Sequence, residues 1–220
     1  QRQMCIRDSN YRFADSVVAV SKDVLIDIKK LTFLPDKKLH VIYNPIISSS
    51  EISNRISINN KVKDFQNKNI INIISVGRLV PQKGFDVLIK SILELNKFSS
   101  RKFSLSIYGE GYLRDDLENL IYNLNLNKQI FLKGYVENLD KEYQKSDIFV
   151  MTSYFEGLPG ALLEAMSFGL PVLAVDCRGG VSEILEAGKW GTLISSYEPY
   201  HIADAIFKTI KNPVSYTHLR

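Results

Sequence analysis

SYFEGLPGALLEAMSFGL, Ser153 to Leu170, is a strand-to-helix crossing built around two carboxylates, Glu156 and Glu164. The apolar run Asp147-Ile148-Phe149-Val150-Met151 just before it reads as a buried strand. Gly157-Leu158-Pro159-Gly160 makes the turn. Ala, Leu, Glu and Met then dominate from Ala161 to Met166, which is helix-forming composition. Pro159 suits the first helical turn, where its missing N–H removes no bond. A strand, a glycine-bearing turn and a helix in that order aim free N–H groups and a positive helix end above the strand's C-terminal end. Carboxylates beside such an anion site fit a ligand that carries both phosphates and hydroxyls.

Outward from this stretch, strands and helices alternate. Asp15–Val20 and Leu39–Tyr43 read as short strands around a helix that Ser21 caps and that runs to about Lys30. Pro45 keeps Asn44 extended, and the polar stretch from Ile46 to Asn69 reads as a linker with one short helix in which Phe65 packs. Ile70–Val76 is almost wholly apolar, as in a parallel strand buried on both faces. Phe85, Leu88, Ile89, Ile92 and Leu93 repeat at helical period up to Phe98. Further strands are expected at Phe103–Tyr108, Ile130–Leu132, Pro171–Val175 and Leu193-Ile194. Helices are expected at Leu113–Leu124, Leu139–Lys145, Val181–Glu186 and His201–Lys211. Regular alternation with short loops predicts an α/β fold with a doubly wound, Rossmann-like parallel sheet. Such sheets bind ligands at the C-terminal strand ends, where strand order reverses. The loops there are 77–84, 109–111, 134–136, 153–160 and 176–181, and each carries glycine.

Composition narrows the function. Hydrophobic residues make up 45% and charged residues 24% of the 220, ordinary values for a globular protein. The net charge of +4 is mild, and its Lys and Arg are dispersed, which suits an anionic ligand and argues against nucleic acid. Two distant cysteines, Cys5 and Cys177, give neither a disulfide framework nor metal spacing, so a reducing, cytoplasmic setting is expected. No apolar run approaches the ~20 residues of a spanning helix, and no signal-peptide pattern opens the sequence.

Arg78 and Lys83 share the loop after Ile70–Val76, either side of Pro81. A guanidinium offers a forked pair of bonds to phosphate and an ammonium a mobile point charge. Bent inward, the two would neutralise a diphosphate; the plain alternative is two surface cations. A dinucleotide-type oxidoreductase needs GxGxxG after its first strand, and Gly77-Arg78-Leu79-Val80-Pro81-Gln82 lacks it.

Gly77-Arg78-Leu79, Lys83-Gly84, Tyr108-Gly109-Glu110-Gly111, Gly134-Tyr135-Val136, the run Glu156–Met166 and Gly169-Leu170-Pro171-Val172 together resemble the donor-binding half of a family 4 glycosyltransferase of the GT-B fold. The resemblance runs from about Asn10 to Asn212. It implies that 10–46 is the tail of an N-terminal acceptor domain, 47–69 an interdomain linker and 70–212 the nucleotide-sugar domain. Arg78 and Lys83 would hold the diphosphate. Glu156 would accept from hydroxyls of the transferred sugar, and N–H groups of Gly157, Leu158 and Gly160, in the turn that includes Pro159, would approach sugar and phosphates. Glu164 would accept from the ribose, Tyr135 and Val136 would lie near the base, and Gly77 and Gly109 would line the donor site. Glu156, Arg78 and Lys83 would be the catalytic set. The resemblance further implies transfer with retention, no bound metal, no cofactor, a UDP-linked donor that extends to N-acetylhexosamine, and a glycan or lipid-linked acceptor in surface polysaccharide synthesis. Peripheral contact with the inner membrane face is expected of a full-length enzyme.

Residues 1–9 and 213–220 have neither period nor cap logic and resemble translated adapter read-through, so they are expected to be non-native. The family's acceptor-side loop and histidine would lie upstream of Asn10, and its closing helix beyond Asn212. The expectation is therefore a fragment that binds donor and transfers nothing; the alternative is a nucleotide-sugar-binding module without transferase activity. The loop Asp176–Val181 offers further N–H groups for the distal phosphate or sugar. Cys177 is expected to be a packing residue, His40 and His201 surface residues, and Glu183 either a surface charge or a neighbour of the site.

Overall fold

A computed structural model describes residues 11–48, 50–52, 55, 65 and 68–211. The sequence ends read as non-native and most of the linker lie outside them. The N-terminal unit is a parallel pair, β1 (Val17–Ala19) and β2 (Leu39–Val41), joined through α1 (Lys22–Thr32). Ser21 caps α1 as expected, its hydroxyl accepting from the Val24 N–H at 3.3 Å.

The rest forms one six-stranded sheet. Its strands are β3 (Ile70–Val76), β4 (Lys102–Tyr108), β5 (Ile130–Gly134), β6 (Ile148–Met151), β7 (Val172–Val175) and β8 (Thr192–Ile194). Helices α2 (Phe85–Phe98), α3 (Arg114–Asn123), α4 (Asp140–Lys145), α5 (Gly160–Ser167), α6 (Val181–Ile184) and α7 (Pro199–Lys211) alternate with them. All neighbouring pairs are parallel, in the order β5-β4-β3-β6-β7-β8. The chain winds outward from β3 to β5, returns to lay β6 beside β3, and winds out the other way. Strand order therefore reverses between β3 and β6, the place where sheets of this kind form their ligand crevice.

The apolar strands owe their composition to burial on both faces. In β6, Ile148 and Val150 join one core while Phe149 and Met151 join the other. In β7, Leu173 and Val175 face the first core and Val172 and Ala174 the second. Alternation at period 2 thus hides inside an unbroken apolar run. Helices α2, α3 and α7 cover the first face; α4, α5 and α6 cover the second. Burying one such side chain contributes roughly 1.5–3 kcal/mol. Lys68 pairs with the fully buried Asp147, which also accepts from the Asn72 N–H at 2.9 Å. Phe65 packs into the first core, as its sequence context predicts.

Two local expectations need correction. Pro159 lies one residue ahead of α5, with extended backbone at φ −74° and ψ 92°, rather than in the first turn. The helix expected at Val181–Glu186 stops at Ile184 because Glu186 and Ala187 take positive φ.

Candidate functional site

The loops at the C-terminal strand ends are stitched together by their own backbones. Gly77 N–H donates to Tyr108 O, Gly109 N–H to Gly134 O, and Leu79 N–H to Glu110 O, all within 2.8–2.9 Å. Gly109 sits at φ +135°, and a Cβ there would meet Gly77 O at 2.0 Å. Only glycine fits so close a crossing. Across the switch point, Tyr154 N–H donates to Gln82 O at 2.8 Å and Gln82 Nε2 to Phe155 O at 2.7 Å. The Thr152 hydroxyl reaches Lys83 O at 3.1 Å and Gly84 O at 3.0 Å. The loops after β3 and β6 are thereby held as one rim.

On that rim Lys83 and Glu156 meet. Lys83 Nζ donates to Glu156 Oε1 at 2.6 Å, with side-chain exposures of 19% and 8%. The Lys83 stem lies against Gly77, where an added Cβ would stand 3.1 Å from it. A lysine read as phosphate-binding and a glutamate read as sugar-binding therefore neutralise each other. Arg78 is exposed, and its side chain bonds to no described residue.

The turn after Glu156 leads into an uncapped helix. No side chain caps α5, and the N–H groups of Gly157, Leu158, Gly160 and Ala161 donate to no described residue. Free N–H groups at the start of an eight-residue helix form an anion-binding end. The loop 176–181 differs. Gly179 N–H donates to Asp23 at 3.3 Å and Gly180 N–H to Gly157 O at 3.0 Å, so neither is free for a phosphate or sugar. Glu156 N–H is likewise committed to Arg178 O at 2.8 Å.

Glu164 stands on α5 one helical turn in. It accepts from the Tyr143 hydroxyl at 3.1 Å through Oε2. Burial, then the neighbouring Glu164 charge, raises the Tyr143 hydroxyl far above its ordinary pKa, so it stays a donor. Tyr135 is 76% exposed, while Val136 packs against the second core. Cys177 is buried close to the Lys83–Glu156 pair, and burial, with the Glu156 and Asp176 charges, pushes its thiol up to about 12. It is protonated at neutral pH and serves as packing. His40 and His201 are surface residues. Among the described residues no group of three or more His, Cys, Asp or Glu is placed to hold a metal.

Several contacts escape sequence reading because their signal is purely spatial. Glu183 accepts from Lys22 N–H at 3.0 Å and from the Tyr43 hydroxyl, and its carboxylate lies 3.4 Å from Lys22 Nζ. Burial would raise its carboxyl, but these bonds outweigh burial and hold it below the ordinary range. With Asp23 on Gly179 and Ile46 about 3.6 Å from a Cβ built on Gly160, the N-terminal unit rests directly on the turns beside Glu156. Tyr197 donates to Ser153 O at 3.0 Å and packs its ring on Tyr154, 4.6 Å between centroids.

The sequence profile described as Glycosyl transferases group 1 matches residues 56–220. The chain belongs to that glycosyltransferase family. It is 36% identical over 163 residues to a poly(ribitol-phosphate) alpha-N-acetylglucosaminyltransferase of Staphylococcus aureus, covering 74% of this chain and 32% of that one. It is 31% identical over 184 residues to a Campylobacter jejuni N-acetylgalactosamine-N,N'-diacetylbacillosaminyl-diphospho-undecaprenol 4-alpha-N-acetylgalactosaminyltransferase, covering 84% and 47%. Among solved structures, a S. aureus TarM mutant in complex with fondaparinux, alpha-GlcNAc-glycerol and UDP superposes with a TM-score of 0.77 at 28% identity, over 94% of this chain and 39% of that one. Anabaena HepE with UDP and glucose shares the fold, with a TM-score of 0.75 at 23% identity over 94% and 57%. The fold is that of the GT-B glycosyltransferases, and the chain spans well under two thirds of each of these relatives.

Proposed function

We propose that this chain is the donor-binding part of a retaining glycosyltransferase that takes a sugar from a UDP-linked donor, N-acetylhexosamine included, and passes it to a glycan or lipid-linked acceptor of the cell surface. The observation that carries the proposal is the Lys83–Glu156 pair at the strand-order reversal, beside the uncapped start of α5. By name, the relatives transfer an N-acetylhexosamine to poly(ribitol-phosphate) or to a diphospho-undecaprenol-linked sugar, and one solved relative holds UDP, which supports the donor and acceptor classes.

In this reading Lys83 moves from Glu156 to the diphosphate, joined there by Arg78 and the α5 N–H groups. Glu156, released, accepts from hydroxyls of the sugar. Glu164 accepts from the ribose through the oxygen that Tyr143 leaves open, and Tyr135 and Val136 flank the base. The bond from the anomeric carbon to the β-phosphate oxygen breaks, and its electron pair stays on the diphosphate. Positive charge fixed at that oxygen lowers the barrier most in the transition state, where the charge develops. The acceptor oxygen bonds the same face of the carbon, and its proton passes to the departing phosphate oxygen. Residues 10–46 are the tail of an acceptor domain, 47–69 the linker and 70–212 the donor domain, so this stretch by itself binds donor without turnover, and the full enzyme docks peripherally at the inner membrane face.

Titration with UDP, GDP and ADP tests the reading. One diphosphate, UDP, binds best and binds better than its monophosphate. Equal affinity for all three, or none for any, overturns it.

A further inference from the structure

The linker contributes a side chain to the same site from an unexpected direction. Arg55 stands between α4 and α5 with its side chain 16% exposed. Its Nη2 reaches Asp140 Oδ1 at 3.1 Å at the start of α4, and its Nη1 reaches Ser167 Oγ at 3.0 Å at the end of α5. The guanidinium also lies over the Phe168 ring, 4.5 Å from its centroid. Two of these three contacts, to Ser167 and to Phe168, lead on to Glu164. Ser167 Oγ donates to Glu164 O at 2.6 Å. Phe168 stacks on Tyr143 at 5.4 Å and 19°, and Tyr143 donates to the Glu164 carboxylate. One route fixes the Glu164 backbone and the other its carboxylate, and one planar guanidinium starts both, through its edge to Ser167 and its face to Phe168. Lysine has no such geometry.

We propose that Arg55 is a positioning residue for Glu164: it locks the α4–α5 seam so that one carboxylate oxygen stays on Tyr143 and the other is presented to the ribose hydroxyls. This rests on the donor-site reading of Glu164. It makes the linker part of nucleotide selection, with Arg55 acting through Glu164 and never touching the ligand.

The test compares UDP with 2′,3′-dideoxyuridine diphosphate, which lacks both ribose hydroxyls, by calorimetric titration of the 220-residue chain. Wild type prefers UDP by about tenfold or more, the scale of one hydrogen bond to a charged group. Arg55→Met lowers that preference to under about threefold while dideoxy-nucleotide affinity holds. Arg55→Lys, which keeps the charge and loses the fork, also loses most of the preference and covers the case of a poorly folding methionine variant. Parallel weakening of both nucleotides, or an unchanged preference in both variants, overturns the proposal. Glu164→Gln separates the two levels: if it leaves the preference intact, the ribose role of Glu164 falls with it. If it removes the preference and the Arg55 variants do not, the positioning role alone falls.

Discussion

Lys83 and Glu156 compete for each other before any ligand arrives. A largely buried pair of this kind is weak evidence for stability, because desolvation offsets the attraction. Its consequence lies in binding. On the proposed reading diphosphate takes Lys83 from Glu156, so Glu156→Gln should bind UDP as tightly as wild type or several-fold more tightly, while losing its preference for UDP-sugar over UDP. Isothermal titration reads both, and markedly weaker UDP binding in Glu156→Gln contradicts this competition. Gly179 is a second sensitive residue. At φ +118°, a Cβ there would stand 1.9 Å from Glu156 O. Gly179→Ala should lower stability by at least about 1–3 kcal/mol from backbone strain alone, seen as a reduced denaturant midpoint. Glu156 and Glu164, eight residues apart on one strand-to-helix turn, and Lys83, in the loop after an apolar strand, could be picked as candidates because each rests on local context, whereas the Lys83–Glu156 pairing could not. Asp23, Tyr43, Arg55 and Tyr143 were not, since each meets the site across long sequence separations that no periodicity encodes.

The central elements follow from composition almost to the residue, while the short strands expected at Asp15–Val20 and Leu39–Tyr43 keep only Val17–Ala19 and Leu39–Val41. β3 and α2 begin and end where the apolar run and the helical period do, at Ile70–Val76 and Phe85–Phe98. α5 departs because its N-terminal turn is shaped by Gly157 and Pro159 against other loops, so Pro159 precedes the helix without capping or entering it. The contact between α1 and α6 is where pH acts. Glu183 has a folded-state pKa below its ordinary value, so its bonds to Lys22 and Tyr43 are at full strength above the unfolded pKa of about 4.3 and are lost as pH falls through the lower folded value. Limited proteolysis across the acid range should show the 17–41 segment released first in wild type. Tyr43→Phe should release it at a higher pH. Release at the same pH in both proteins contradicts the role of this contact.

At the scale of the molecule, the order β5-β4-β3-β6-β7-β8 gives the site its place, since strand order reverses between β3 and β6 and the crossovers that follow them cover opposite faces. Alternation of strand and helix announced such a sheet; the N-terminal unit lying over the glycine turns did not show, because it depends on contacts between separate units. The account rests on phosphates held by Lys83 at that reversal. Calorimetric titration of UDP into wild type and Lys83→Ala tests it most directly. The account predicts that the substitution weakens binding by about 1.5–3 kcal/mol, with the fold unchanged by circular dichroism. Equal UDP affinity in the two proteins would contradict it.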